Sequence, residues 1–347
     1  MKGLILAGGF ATRLRPLSCS KPKLLFPVVG IPLIDLMITW LKKGGVREVI
    51  LAVNHLSERL RLEVGERRLG CRVRFSVETE PLGTAGPIRL AKTLLDPGEQ
   101  FVVVNGDIVS DIDIRGMVKA HQTRSATATV ALVFVSDPQQ YGSVRVSSEG
   151  RIARFEEKAI AHSRSTLVNA GVYVLSPEVL DFIPSRGPVS LERAVFPTLA
   201  RNDAMWGWKH RGYWYDIGRI PEYVKANMDI LRKRERKATP LPRALPRDRF
   251  ARQPFHMGRG SRLGSGVQLG PNAILSDRVV VNEGSRIRDS IIFEDTIIGE
   301  RCVVEGALIG ERVVIGKDTR IGRGAMVAGE ISVPEGSMIK KDSVILT

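Results

Sequence analysis

The chain has 347 residues, 43% hydrophobic and 26% charged, which is ordinary for a globular protein and long enough for about two domains. No apolar stretch approaches the ~20 residues of a membrane span, and the opening run LILA is too short for a signal peptide's apolar core. Three scattered cysteines (Cys19, Cys71 and Cys302) lack metal-ligand spacing, so a reduced, cytoplasmic setting is expected. The net charge of +15 is compatible with nucleic acid, a phosphate pocket or an arginine-rich solvated surface. Part of the excess sits in LRKRERKATPLPRALPRDRFARQ, residues 231–253, a Pro-rich stretch without interleaved aromatics or an RNA-binding signature. Neither a nucleic-acid nor a membrane partner is expected.

In chain order, GLILA predicts a buried strand that ends on Gly8-Gly9, with Thr12, Arg13 and Arg15 close behind. LIDLMITWLKKGG has helical spacing and stops at Gly44-Gly45. EVILAV (strand), the region around LSERLRLEV (helix), RVRFSV (strand), GPIRLAKTLL (helix) and FVVVNGD (strand) follow. Continuous apolar runs separated by helices predict an α/β domain over residues 1–230, a Rossmann-like, mostly parallel sheet covered on both faces. Ligands of such sheets bind off the carboxyl ends of the strands, where Gly8-Gly9 and Asn105-Gly106-Asp107 both fall.

A basic linker is expected over residues 231–260, and the pattern then changes. Every sixth residue from Val267 to Ile345 is Val or Ile, apart from Ala273 and Ser285, with Gly299, Gly310, Gly316 and Gly322 recurring nearby. A period of six belongs to hexapeptide repeats, each supplying one short side of a parallel β-helix coil. Residues 261–347 are therefore read as a β-helix, and likeness to hexapeptide-repeat proteins implies that it is left-handed.

The loop GGFATRLRP is neither a Walker A motif nor GxGxxG. It reads either as a plain glycine turn with exposed arginines or, with Lys23 of SKPKLLFPV, as a cationic wall suited to a triphosphate. Asp107 emerges from a buried strand, and Asp216 lies in GYWYDIG. Each alone could be a turn or cap residue. Together they suit magnesium, which takes one or two protein carboxylates plus substrate phosphate oxygens. ETEPLGTAG adds a glycine turn at Gly83, where a flat base could lie against backbone. RFEEKA offers Glu157 and Lys158, and LVNAGVY offers Asn169.

Taken in this order ahead of hexapeptide repeats, LAGGFATRLRPL…KPK, EPLGTAG, NGD, RFEEK, VNAGVY and YWYDIG resemble the sugar-1-phosphate nucleotidylyltransferases, in particular their guanylyltransferase branch. The resemblance implies that Leu6, Ala7, Gly8, Gly9 and Arg13 hold the nucleotide, with Glu80 and Gly83 beside it. Lys23 would neutralise the reacting and departing phosphates, and Asp107 and Asp216 would bind Mg2+. Gly142, Glu157, Lys158 and Asn169 would meet the sugar phosphate. The implied substrates are a nucleoside triphosphate (GTP) and a sugar 1-phosphate (mannose 1-phosphate), with Glu78, Thr79 and Glu80 as candidate acceptors for guanine's donors. A permissive site or a UTP or dTTP preference with glucose 1-phosphate is the alternative.

Three positions depart from the family pattern: Ala11 replaces a glycine, Leu24 a proline and Ala159 a proline. A non-catalytic regulator, similar to translation-initiation exchange-factor subunits, is a rival reading, set against the presence of Arg13, Lys23, Asp107 and Asp216. Acyl transfer on the β-helix normally needs a histidine base. None of the five histidines (His55, His121, His162, His210 and His256) lies beyond Val267. The β-helix is expected instead to assemble a homo-oligomer, so that a chain ending near Lys237 keeps some transfer activity in smaller assemblies.

Overall fold

The computed structural model describes residues 1–55, 57–65, 67, 69–138, 141, 143–156, 167–237 and 251–346. Two compact units divide the chain: Met1–Phe10 with Ile34–Asp216, and Ala11–Leu33 with Ile217–Thr347. Segment 11–33 thus belongs with the C-terminal unit, a grouping that chain order does not reveal.

Among the described residues the first unit is built on a nine-stranded sheet. In chain order its strands are β1 (Lys2–Leu6), β2 (Glu48–Asn54), β3 (Arg72–Glu78), β4 (Phe101–Asn105), β5 (Ala128–Phe134), β6 (Ser143–Val146), β7 (Ile152–Glu156), β8 (Leu167–Leu175) and β9 (Met205–His210). The parallel core runs β3-β2-β1-β4, and β8 then pairs antiparallel to β4. Register sets Leu6 beside both Ala52 and Asn105, so β1 and β4 end together and β2 runs two residues further. The β1, β2 and β4 strands read as unbroken apolar runs because both faces are covered, and Leu4, Ile5, Ile50, Leu51, Val103 and Val104 are all fully buried. The helices Leu33–Lys43 and Glu58–Gly65 match the helical spacing of the sequence.

One buried polar group in this unit makes stability pH-dependent. His121, only 2% exposed, has Nδ1 2.9 Å from Thr129 Oγ1 and Nε2 3.0 Å from Ser176 Oγ. Ser176 gives its hydroxyl proton to Ala126 O, so Nε2–H donates to Ser176 and Nδ1 accepts from Thr129, which is the neutral imidazole. Burial depresses its pKa to about 4, against partial opposition from Glu178. The folded state therefore binds the proton less readily than the unfolded chain. Stability on the order of 3 kcal/mol is present above pH ~6.5 and lost as pH falls through about 4. Urea unfolding between pH 7 and 4 should show this slope, and His121→Gln should flatten it; an equal slope in both proteins would exclude His121 as its source.

In the second unit, helix α1 (Ile220–Lys237) extends into the stretch read as linker, and residues 238–250 lie outside the described residues. Tyr223, Ala226, Asn227 and Leu231 recur at helical spacing and are buried. Beyond it, the described residues form short strands that stack in parallel in three sheets of six, five and five, the architecture of a left-handed β-helix. Its apolar ladder runs Leu269, Leu275, Val281, Ile287, Ile292, Ile298, Val304, Ile309 and on in sixes to Ile339.

A strict six-residue step therefore fails twice, at Ile287–Ile292 and Val304–Ile309, each a step of five. Counted from Val267, the predicted ladder first lands on the small buried corner positions Val267, Ala273, Val279 and Ser285. It then drifts outward to Ile297, which is 41% exposed, and regains register at Ile309. The corner can lose a residue because it needs only one left-handed position, here Asp289 (φ 50°) and Gly306 (φ 61°), and one small buried side chain after it.

Segment 11–33 packs on this unit. Outward-pointing Ile274, Ile291 and Leu308 of the six-stranded sheet are nevertheless buried. The Phe26, Tyr223 and Phe293 rings meet edge to face at 5.4–6.3 Å. Val29 N–H donates to Asn227 Oδ1 at 2.7 Å, and Tyr223 Oη–H donates to Pro27 O.

Candidate active site

Gly8 follows β1, which ends level with β4. Asn54 Nδ2 donates to Gly8 O at 3.0 Å, and Gly106 N–H donates to Leu6 O at 2.9 Å. A Cβ on Gly8 would lie 2.0 Å from Glu78 Oε1, whereas one on Gly9 would meet nothing within 4 Å. A side chain at position 8 would therefore displace the Glu78 carboxylate, whereas position 9 has open space around it. Glu78, at the end of β3, is buried, and burial raises its carboxyl pKa against the opposing Leu82 N–H at 3.3 Å. Of the three candidate base acceptors, Glu78 turns toward Gly8; Thr79 and Glu80 are exposed.

Gly83 has φ +76°, and a Cβ there would strike Val189 O at 2.4 Å. Backbone bonds Val189 N–H to Leu82 O (2.9 Å) and Ala85 N–H to Val189 O (2.8 Å) hold that approach. Its glycine requirement thus has a cause within the chain, whatever lies beyond it.

Asp107 is delivered by β4 and followed by the short strand Ile108–Ser110, which pairs antiparallel with Trp214–Asp216. Asp216 sits opposite Ile108, so the two acids lie one position apart along the ladder. Trp214 Nε1–H ties this ladder to β8 through Ala170 O at 2.8 Å. Among the described residues no group of three or more His, Cys, Asp and Glu gathers for a metal. A carboxylate pair completed by substrate oxygens fits magnesium, which seldom takes an all-protein cage.

Asn169 lies on β8, where Oδ1 accepts from Gly171 N–H at 3.0 Å and Nδ2 donates to Tyr173 Oη at 2.9 Å. That hydroxyl donates to Glu192 Oε1 at 3.3 Å, and Thr84 and Ser190 donate to Glu192 Oε2 at 2.6 and 2.7 Å. This network links the Gly83 turn to Asn169. Sequence reading missed Glu192; its signal, SLER just after a proline-bearing loop, is too ordinary to single out. Gly142, Glu157, Lys158 and Ala159 lie outside the described residues.

Arg13 and Lys23 belong to the second unit. Arg13 is exposed on the turn Thr12–Leu14, and Lys23 opens the turn Lys23–Leu25, whose leucines are buried. Ala11, in place of the family's glycine, has φ 50° and ψ 34°, a left-handed conformation that costs a residue with a Cβ about 1 kcal/mol. Ser18 Oγ donates to Ala11 O at 2.9 Å and secures it.

A parallel-core sheet with glycines and acids at its carboxyl edge, joined to a hexapeptide β-helix, defines a nucleotidyltransferase-type protein. The nucleotidyl transferase family profile matches residues 2–233, and the profile described as GMPPB C-terminal domain matches residues 251–347. The chain belongs to the nucleotidyl transferase family. It is 41% identical over 228 residues to mannose-1-phosphate guanyltransferase beta-B of Xenopus laevis, covering 65% of this chain and 63% of that one. It is 40% identical over 250 residues to mannose-1-phosphate guanylyltransferase catalytic subunit beta of Danio rerio, covering 71% and 69%. Among solved structures, HddC from Yersinia pseudotuberculosis complexed with GMP-PN matches with 26% identity and TM-score 0.56, over 66% of this chain and 99% of that one. Among the described residues no helix is long and apolar enough to cross a membrane.

Proposed function

We propose that this protein transfers a guanylyl group from GTP to mannose 1-phosphate, giving GDP-mannose and pyrophosphate. The observation that supports the proposal is the ladder beyond β4 that pairs Asp216 with Ile108, the residue next to Asp107. Family membership and the names of the relatives supply the substrates.

In this reading a sugar-phosphate oxygen attacks the α-phosphorus in line, and the bond from that phosphorus to the pyrophosphate oxygen breaks. The attacking oxygen is already ionised at neutral pH, so alignment and charge stabilisation replace a general base. Asp107 and Asp216 would hold Mg2+, which when bound draws charge from the phosphate oxygens. Arg13 and Lys23 neutralise the triphosphate and its departing portion, and the Gly8-Gly9 backbone with Leu6 and Ala7 receives the nucleotide. Glu78 accepts guanine's paired donors, Gly83 and Glu80 border the base, and Asn169 with Gly142, Glu157 and Lys158 serves the sugar phosphate.

The β-helix assembles subunits in the same reading, supported by the apolar stripe of Val280, Ile297 and Val314 on successive coils. Light scattering that finds only monomers would remove this part. The reaction is tested by pyrophosphate release across GTP, UTP, dTTP and ATP with mannose and glucose 1-phosphates. GTP with mannose 1-phosphate should give the highest kcat/KM; preference for UTP or dTTP with glucose 1-phosphate would overturn the substrate choice, and no release from any pair would overturn the reaction.

A further inference from the structure

Lys21 lies in the loop of the second unit yet is only 3% exposed. Its Nζ donates to Glu294 Oε1 and, at 2.7 Å, to Glu311 Oε2. A buried ammonium needs such partners to offset its lost hydration, and this one has two. Glu311 is itself fully buried, and its second oxygen accepts from Arg312 Nη2 at 3.3 Å.

The two acceptors hold equivalent places in the coil. Strand register aligns Leu275, Ile292, Ile309 and Val327 on successive coils. Two residues beyond each stand Asp277, Glu294, Glu311 and Gly329, in a column along one corner. Asp277 pairs with the exposed Arg259 of the neighbouring coil, whereas Glu294 and Glu311 turn to Lys21. The column changes to glycine beside Ser20: a Cβ on Gly329 would lie 2.4 Å from Ser20 Oγ. Two residues after Lys21 comes Lys23, and three after that Phe26 meets Phe293 at 5.4 Å. Lys23 is therefore bracketed by two anchors on the β-helix.

We infer that this corner column is a seat for segment 11–33, and that Lys21, Glu294 and Glu311 are positioning residues that hold Arg13 and Lys23 for the transferase reaction. The inference rests on the function proposed above for the roles of Arg13 and Lys23. A small misplacement of a charge that acts in the transition state lowers turnover strongly, so residues remote from the chemistry control kcat.

The test uses the full chain with Glu294→Gln/Glu311→Gln, which removes both charges and keeps their shape, and Lys21→Met. Each should lower kcat roughly ten- to a hundredfold with KM for GTP little changed. Combining them should cost no more than either alone, because they break one interaction. Amide hydrogen exchange over residues 17–26 should quicken, while that of β4 stays at the wild-type rate. If the double variant does not fold, Glu294→Gln, which leaves Glu311 in place, should give a smaller effect of the same kind. Wild-type kcat, or unchanged exchange over 17–26, in the folded variants overturns the seat. A wild-type protein that transfers no nucleotide would overturn the proposed function instead, and the exchange comparison would still decide the seat.

Discussion

Asparagine at Asp107 or at Asp216 is expected to lower turnover by about three orders of magnitude while the fold survives. In the proposed reaction the two carboxylates would share one ion, and removing either would take away charge stabilisation that matters most in the transition state, worth about several kcal/mol. The backbone has no reason to yield, since Asp216 and Ile108 are matched through a β-ladder and asparagine keeps the side chain's shape. Loss of both should be little worse than loss of one, because the two act as a unit. Turnover measured over a magnesium series, with calorimetric binding of Mg2+ and GTP as a second readout, checks the assignment. Near-normal turnover at saturating magnesium in either variant would remove that residue from the site.

The two neighbouring glycines should respond very differently to alanine. At Gly8 the new Cβ would sit 2.0 Å from Glu78 Oε1 and 2.9 Å from its carboxyl carbon, so the buried carboxylate must leave its place. If Glu78 reads guanine, Gly8→Ala should lower kcat/KM for GTP about a hundredfold and narrow the preference for GTP over UTP, as expected when a paired acceptor is lost. Gly9→Ala meets nothing in the protein and should leave the unfolding midpoint unchanged, raising only KM for the nucleotide whose phosphates need that space. An unaltered GTP-to-UTP ratio in Gly8→Ala would show that base choice lies elsewhere.

By itself the sequence determined the local periodicities and the class of chemistry. Unbroken runs such as FVVVN and ILAV could only be strands covered on both faces, and they are. The hexad period announced a β-helix because no other regular structure repeats every six residues. NGD and YWYDIG put their acids beside strand ends, since those stretches carry their geometry within a few residues.

Whatever depends on residues far apart in the chain was left to the tertiary structure. A fixed period cannot locate the two five-residue corners, because shortening a corner leaves both its buried residue types in place. Glu78 separates from Thr79 and Glu80 only once β3 aligns with Gly8, and Glu192 joins Asn169 only through Tyr173. The β-helix, read from its repeats as a separable assembly module, carries segment 11–33 on its outer face. The partners of Lys21 stand 273 and 290 residues away, so loss of the β-helix would strip that segment of its support. Hydrogen bonds and ion pairs act over a few ångströms, and only the folded backbone decides which distant side chains come that close.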